Sequence, residues 1–412
     1  MIKFDKFTLD NGLRVIVHKD DTSPIVAFNI TYNVGAKDEN PKQTGFAHLF
    51  EHLMFGGSIN IPSFDEPLER VGGSNNAFTN NDITNYYETL PKENLETAFW
   101  LESDRMLSLA FTPKSLEVQR AVVIEEFKQN YLNQPYGDLS LIFRPLAYKK
   151  HPYQWSTIGK EISHIESATM EDVKDFFFSH YAPNNAVLSI AGNVETEEIK
   201  QLCQKWFAPI EKREIKKRTY PKEPQQTEYR FLEVERDVPA DAIQMGFHIG
   251  DRLSKEYYAS DLLSDILSNG KSSRLYRNLI QEKKIFSELD AYISGSFDPG
   301  LLIFNGQVMP NKTLKEAEKS IWEEIENLLN NGLKDKELQK VKNKIESSQI
   351  FANSSVLNKA MNLSIFETLK NADIINQEVE RYEKIDESFF MENAKNVLRK
   401  ENCSTLYYRS KK

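Results

Sequence analysis

His48, Glu51 and His52 stand in the order His-x-x-Glu-His within residues 45–56, GFAHLFEHLMFG. On a helix the two histidines lie one turn apart, so both imidazoles project from one face and can grip a single zinc ion. Glu51 is three residues from His48, beside that face but angled away from it, where a carboxylate can take a proton from water instead of binding the metal. The bland alternative is an amphipathic helix with two hydrogen-bonded histidines. Two histidines leave a catalytic zinc one protein ligand short, because such sites use three ligands plus water. The candidate comes from residues 116–127, LEVQRAVVIEEF, where either Glu125 or Glu126 would serve and helical phase does not choose between them.

These side chains need elements to hold them. Residues 13–17 and 25–30 are β-rich runs split by Asp20-Asp21-Thr22-Ser23-Pro24, and they predict two strands around a turn within the first 35 residues. A helix is expected over 44–55, stopped by Gly56-Gly57. Strand-like pieces follow at 76–79 and 85–88, then long helical patterns at 93–107 and 113–132, and a buried strand at 186–191. Residues 211–230 are polar, contain Pro221 and Pro224, and have almost no large aliphatic side chains, which marks a linker. The second half repeats the order of the first. A strand is expected at 243–249 and a long helical section at 314–348. Helices expected at 165–173 and 382–390 each precede a strand, at 187 and at 405–408. The expected architecture is a duplicated α+β unit, with boundaries 1–210, linker 211–230 and 231–412.

Composition narrows the classes. With 412 residues, 40% hydrophobic and 27% charged, the chain has an ordinary globular profile long enough for two cores. A formal charge of −9 argues against nucleic acid as the main partner. Cys203 and Cys403 are too few for a disulfide framework, and two free thiols fit a reducing compartment. The N-terminus lacks a long apolar run with a cleavage site, and no segment approaches the roughly 20 apolar residues of a membrane span. A cytoplasmic location and no membrane span are therefore expected.

Taken together, the His48/Glu51/His52 motif and its surroundings resemble the pitrilysin-type (inverzincin) zinc metallopeptidases, and among them the bacterial relatives of the mitochondrial processing peptidase beta subunit. In that family a third ligand follows His-x-x-Glu-His about 70 to 80 residues later. Alignment on Arg120-Ala121-Val122-Val123 implies Glu126 for that place. Further matches are Gly72-Gly73-Ser74-Asn75-Asn76-Ala77-Phe78-Thr79, Pro135-Tyr136-Gly137, His151-Pro152-Tyr153, Ile158-Gly159 and Tyr181-Ala182-Pro183-Asn184-Asn185-Ala186. They span residues 9–194; the second half fits more loosely, through Ser272-Ser273-Arg274-Leu275. The resemblance implies two homologous α/β-roll domains forming half of a clamshell that admits unfolded peptides. It implies Zn2+ held by His48, His52 and Glu126, with Glu51 as general base. Asn76, Ala77, Phe78 and Thr79 would be the strand that pairs with an extended substrate through its main chain.

Two places depart from the family pattern. An accessory glutamate often found seven residues before the third ligand is Gln119 here. An Arg and a Tyr that hold the substrate carbonyl in many relatives align with Ile280 and Ser287, with Tyr276 and Arg277 nearby if the alignment slips. Neither Ile nor Ser offers a guanidinium fork or a phenol hydroxyl. The implied enzyme is an endopeptidase acting on peptides with a homologous partner subunit, as a heterodimer, or by self-association. A non-catalytic scaffold or peptide-binding member of the family is the other reading.

Overall fold

The computed structural model describes residues 1–215 and 219–411, and it contains two mixed sheets of nearly identical topology. The first is built from β1 (Asp5–Thr8), β2 (Arg14–Lys19), β3 (Ile25–Tyr32), β4 (Ser74–Thr79), β5 (Thr84–Pro91) and β6 (Ala186–Gly192), in the order β1-β2-β6-β3-β5-β4. The second holds β7 (Arg230–Arg236), β8 (Ala242–His248), β9 (Phe286–Ile293), β10 (Leu301–Val308) and β11 (Cys403–Ser410), in the order β7-β11-β8-β10-β9. In each sheet one pair is parallel, β2 with β6 and β7 with β11, and the remaining pairs are antiparallel. Apart from β1, the strand orders superpose one for one. The duplication expected from the sequence is therefore present in the topology.

The partition of the chain is less simple than the contiguous segments 1–210 and 231–412. One compact unit comprises Met1–Gln129, Trp155–Tyr220 and Ile350–Gln377; the other comprises Asn130–Gln154, Pro221–Gln349 and Glu378–Lys412. Each half of the chain thus lends a helix to the other half's sheet. The helix Val356–Leu369 lies on β3 and β6, where Ala360 meets Ala27 and Ala191 and three small side chains allow close approach. Its Ser364 hydroxyl accepts from Asn29 Nδ2 (2.7 Å) and contacts Thr31 Oγ1 (2.7 Å), and Thr31 donates to Asn85 Oδ1. Buried polar groups of this kind require partners, so the helix is chemically matched to this sheet.

The reciprocal case is the helix around residue 143. Counted in chain order, the first helices are α1 (Phe46–Leu53), α2 (Asp65–Arg70), α3 (Leu95–Leu107), α4 (Pro113–Phe127) and α5 (Leu139–Ala147). Phe143 of α5 is buried with Ala242, Leu301, Leu406 and Tyr408 in the second unit. The opposing position is Gly246, where an added Cβ would lie 2.6 Å from Phe143 Cζ. Gly246→Ala should therefore destabilise the protein by about 1–3 kcal/mol, the usual cost of overpacking a filled core. The double variant G246A/F143L should recover part of the loss in denaturant unfolding. A wild-type midpoint for G246A would show that α5 is not seated there.

Several boundaries differ from expectation. The first 35 residues hold three strands, since the polar run Asp5–Thr8 pairs with β2. The helical section 314–348 is two helices, Leu314–Asn331 and Glu337–Ala352, broken where Gly332 takes φ 69. The helix expected at 165–173 is split into Ile162–Glu166 and Met170–His180, because Thr169 and Asp172 form a capping box that starts the second piece. Residues 382–390 are likewise split, with Asp386 capping Glu387–Val397. Residues 216–218 of the expected linker lie outside the described residues. Beyond them, Glu223 accepts from the N–H groups of Lys149, Lys150 and His151 at 2.7–2.9 Å, which ties that end of the linker to the second unit. No described helix is long and apolar enough to cross a membrane.

Candidate metal centre

α1 begins where Gly45 takes φ 91, and a Cβ there would lie 2.7 Å from the Ile158 carbonyl oxygen, so glycine is required on two counts. The helix buries Phe46, Ala47, Leu49, Phe50 and Leu53, with Phe50 stacked on Tyr181 at 5.3 Å. That leaves His48 and His52 on the opposite side, their rings 4.8 Å apart and nearly perpendicular. α4 packs against α1. Its start is set by Thr112, whose hydroxyl accepts from Ser115 N–H, and by Pro113 in the first turn. It buries Leu116, Val123 and Phe127 and presents Glu126 to the two histidines.

Glu126 Oε2 lies 3.6 Å from His48 Nε2 and 3.4 Å from His52 Nε2. Ligands on a tetrahedral ion at bond lengths of 2.0–2.2 Å sit about 3.4 Å apart, so both distances to Glu126 match the edges of such a tetrahedron. Among the described residues this is the only group of three or more His, Cys, Asp or Glu side chains close enough to hold a metal ion. Glu125, the candidate that helical phase left open, is exposed and accepts from Gln129 Nε2 at 3.0 Å. Burial, with His52 alongside, pushes His48 down to about 4, so its imidazole is neutral and its lone pair is available. His48 Nδ1 is buried without a protein partner.

Glu51 stands apart from this cluster. Burial raises its pKa above the ordinary carboxylate value, while hydrogen bonding from the Thr79 hydroxyl and backbone N–H, and the nearby His52, act in the opposite direction. A poised carboxylate held off the metal-binding face is suited to accepting a proton. Glu51 and His52 line a cavity of about 270 Å³ with Phe55, Asp65, Asn75 and Asn76, and Asn75 donates to Asp65 at 2.8 Å. Beneath it, the buried Arg105 guanidinium donates to Glu102 (2.8 Å) and lies over the rings of Phe64 and Tyr86 at 4.1 and 4.4 Å. Sequence reasoning gave no role to Phe55 or Asp65, and none to Thr79 as a neighbour of Glu51. Phe55 directly follows α1, whereas Asp65 on α2 and Thr79 on β4 are brought to the site by the fold and no local pattern marks them.

The strand expected to meet substrate is β4, at the edge of the first sheet. Asn76, Ala77, Phe78 and Thr79 pair with Tyr87, Tyr86, Asn85 and Thr84 of β5 on one side, and no described strand covers the other. Asn76 Oδ1 accepts from Ala77 N–H at 2.8 Å, so one main-chain donor of this edge is already occupied by a side chain. Gln119 is on α4, two turns before Glu126 on the same face. In the second unit Ile280 packs against the core, and Ser287 on β9 donates to the Gln307 carbonyl at 3.3 Å.

Residues 14–145 match the family model described as Insulinase (Peptidase family M16), and residues 167–345 match the one described as Peptidase M16 inactive domain. The chain is 31% identical over 346 residues to the zinc protease PqqE of Helicobacter pylori, covering 82% of this chain and 78% of that protein. The crystal structure of a protease from Helicobacter pylori superposes with a TM-score of 0.93 at 27% identity, covering 99% of this chain and all of that one. Pitrilysin shares the fold at a TM-score of 0.80 and 18% identity; all of this chain matches 45% of the pitrilysin chain.

Proposed function

This chain belongs to the insulinase (M16) peptidase family, and we propose that it is a zinc-dependent endopeptidase whose metal is held by His48, His52 and Glu126. The observation that carries the reading is the spacing of those three ligand atoms, with Glu51 beside them but outside the ligand set. A zinc ion held there would supply Lewis acidity toward a peptide carbonyl and toward water. Glu51 accepts the proton of the attacking water and returns it to the departing amine, its carboxylate oriented by Thr79. β4 takes an unfolded peptide as an additional strand through its main chain, and the incoming donors and acceptors displace Asn76 from Ala77 N–H. The proposal includes a homologous partner subunit. It also includes a cytoplasmic location, with which the buried free thiols of Cys203 and Cys403 are consistent.

Elemental analysis tests the metal site directly. Purified protein should carry about one zinc per chain, and His48→Ala and His52→Ala should lose it, because removing one of three ligands leaves the ion under-coordinated. Glu126→Gln should weaken zinc binding strongly, whereas Glu125→Gln should leave occupancy unchanged, since Glu125 is tied to Gln129 on the exposed side. Full occupancy in H48A or H52A, or a reversed pattern for the glutamates, overturns the assignment. A peptide-binding member without catalysis is the second reading. Ile280 and Ser287 favour it, because Ile280 has no donor to offer a developing oxyanion and the Ser287 hydroxyl donates to the Gln307 carbonyl.

A further inference from the structure

α1 has only two turns, and helices this short do not hold themselves together in water. Its first turn has no side-chain cap, since the N-cap residue is Gly45. The orphan N–H groups at that end are met from outside the helix. Glu39, buried at 5% exposure, accepts from Gly45 N–H through Oε2 (2.9 Å) and from Ala47 N–H through Oε1 (2.9 Å). Trp155 Nε1 donates to the same Oε2 (3.1 Å) and to the Ala36 carbonyl (2.9 Å), which fixes the carboxylate from the far side. Next to it, Thr44 Oγ1 accepts from Lys160 N–H (2.8 Å) and meets His164 Nδ1 (2.8 Å), so the residue preceding Gly45 is anchored too. His48 is the third residue of the helix, inside this gripped turn, whereas His52 lies near the other end.

We infer that Glu39 is a positioning residue for the metal centre: its buried carboxylate replaces the missing cap of α1 and thereby fixes His48 relative to His52 and Glu126. The inference rests on the zinc reading given above. A carboxylate suits the task because its two oxygens each take one of two N–H groups that diverge from the helix start, in a place where the helix dipole favours negative charge. Burial raises the pKa of this carboxyl, and the N–H groups of Gly45 and Ala47 and the Trp155 indole act against that rise by favouring the charged form. A purely apolar residue would fill the space and leave the N–H groups of Gly45 and Ala47 unmet.

The test uses the full chain as wild type, E39Q and E39A. Glutamine keeps the size and one acceptor but turns an NH2 group toward one of the two N–H donors. Zinc affinity is measured by competition with a chromophoric chelator. Coordination is read from the visible absorption of the Co2+-substituted protein, and the helix start from amide exchange at residues 45–48 in the metal-free protein. E39Q should bind zinc about 10- to 100-fold more weakly, as losses behind a metal ligand do, with an altered Co2+ spectrum and faster exchange confined to that turn. E39A should show the same changes enlarged, and if it does not fold, E39Q decides. Wild-type zinc affinity and Co2+ spectrum in E39Q, with only a lower unfolding temperature, would make Glu39 merely structural and overturn the inference. If the wild type itself takes up no zinc, the zinc reading fails instead, and the exchange rates still report whether Glu39 holds the turn.

Discussion

Glu51→Gln is expected to retain zinc at the wild-type stoichiometry and to cleave peptides about 10²- to 10⁴-fold more slowly, the range over which a positioned general base acts. The structure separates the two roles on one short helix. His48 and His52 approach Glu126 to 3.6 and 3.4 Å, while Glu51 is absent from that cluster and lies near Thr79 of β4, which favours its charged form. Glutamine preserves the shape and an acceptor for Thr79, so the cavity beside Phe55 should keep its form. What it cannot do is take a proton from water. The loss should therefore fall on kcat with KM little changed, the signature of an interaction used only in the transition state. Zinc content and steady-state rates on a quenched peptide, measured on the same preparation, decide the matter. If zinc leaves together with activity, Glu51 is a ligand and the division of roles collapses.

That division was legible in the sequence because helical spacing alone sets which residues of α1 share a face. The third ligand was not legible in the same way. Glu125 and Glu126 are neighbours on one helix, and only the direction from which α4 meets α1 separates the residue facing the histidines from the one facing Gln129. Strands with alternating or apolar patterns, such as β3 and β6, were evident, whereas β1 was not, because its four residues are largely exposed and polar. Helix ends set by local chemistry, at Thr169 or Gly332, are marked by the capping box and the glycine but lie inside longer periodic stretches that mask them. The exchange of α5 and of Val356–Leu369 between units is of another kind. It depends on Gly246 facing Phe143 and on Ala27 and Ala191 facing Ala360, residues separated by about a hundred positions or more, and no local pattern reports such pairings. Glu39 belongs with these, since an acidic residue in a polar loop gives no sign of being buried under a helix end.

The isolated chain is expected to bind zinc and yet cleave peptides poorly until a homologous chain with Arg and Tyr at the places of Ile280 and Ser287 is added. Acyl-transfer chemistry needs donors aimed at the oxygen where negative charge develops, and losing one such donor costs about a hundred- to a thousandfold in rate. In this chain neither position supplies one. Ile280 packs against the second unit's core, and the Ser287 hydroxyl is spent on the Gln307 carbonyl. Nearby cations are not free substitutes. Arg274 is buried and donates to Glu337 (3.0 and 2.6 Å) and to the Gly332 carbonyl (2.9 Å), which leaves exposed Arg277 and half-buried Tyr276 as the in-chain candidates. Mixing should raise the cleavage rate by two orders of magnitude or more, with a concentration dependence that reports assembly. Rates ordinary for peptidases from the chain alone would defeat this expectation. Arg277→Ala and Tyr276→Phe would then be the variants to make, because a fall in kcat in either would place the carbonyl-holding group within this sequence after all.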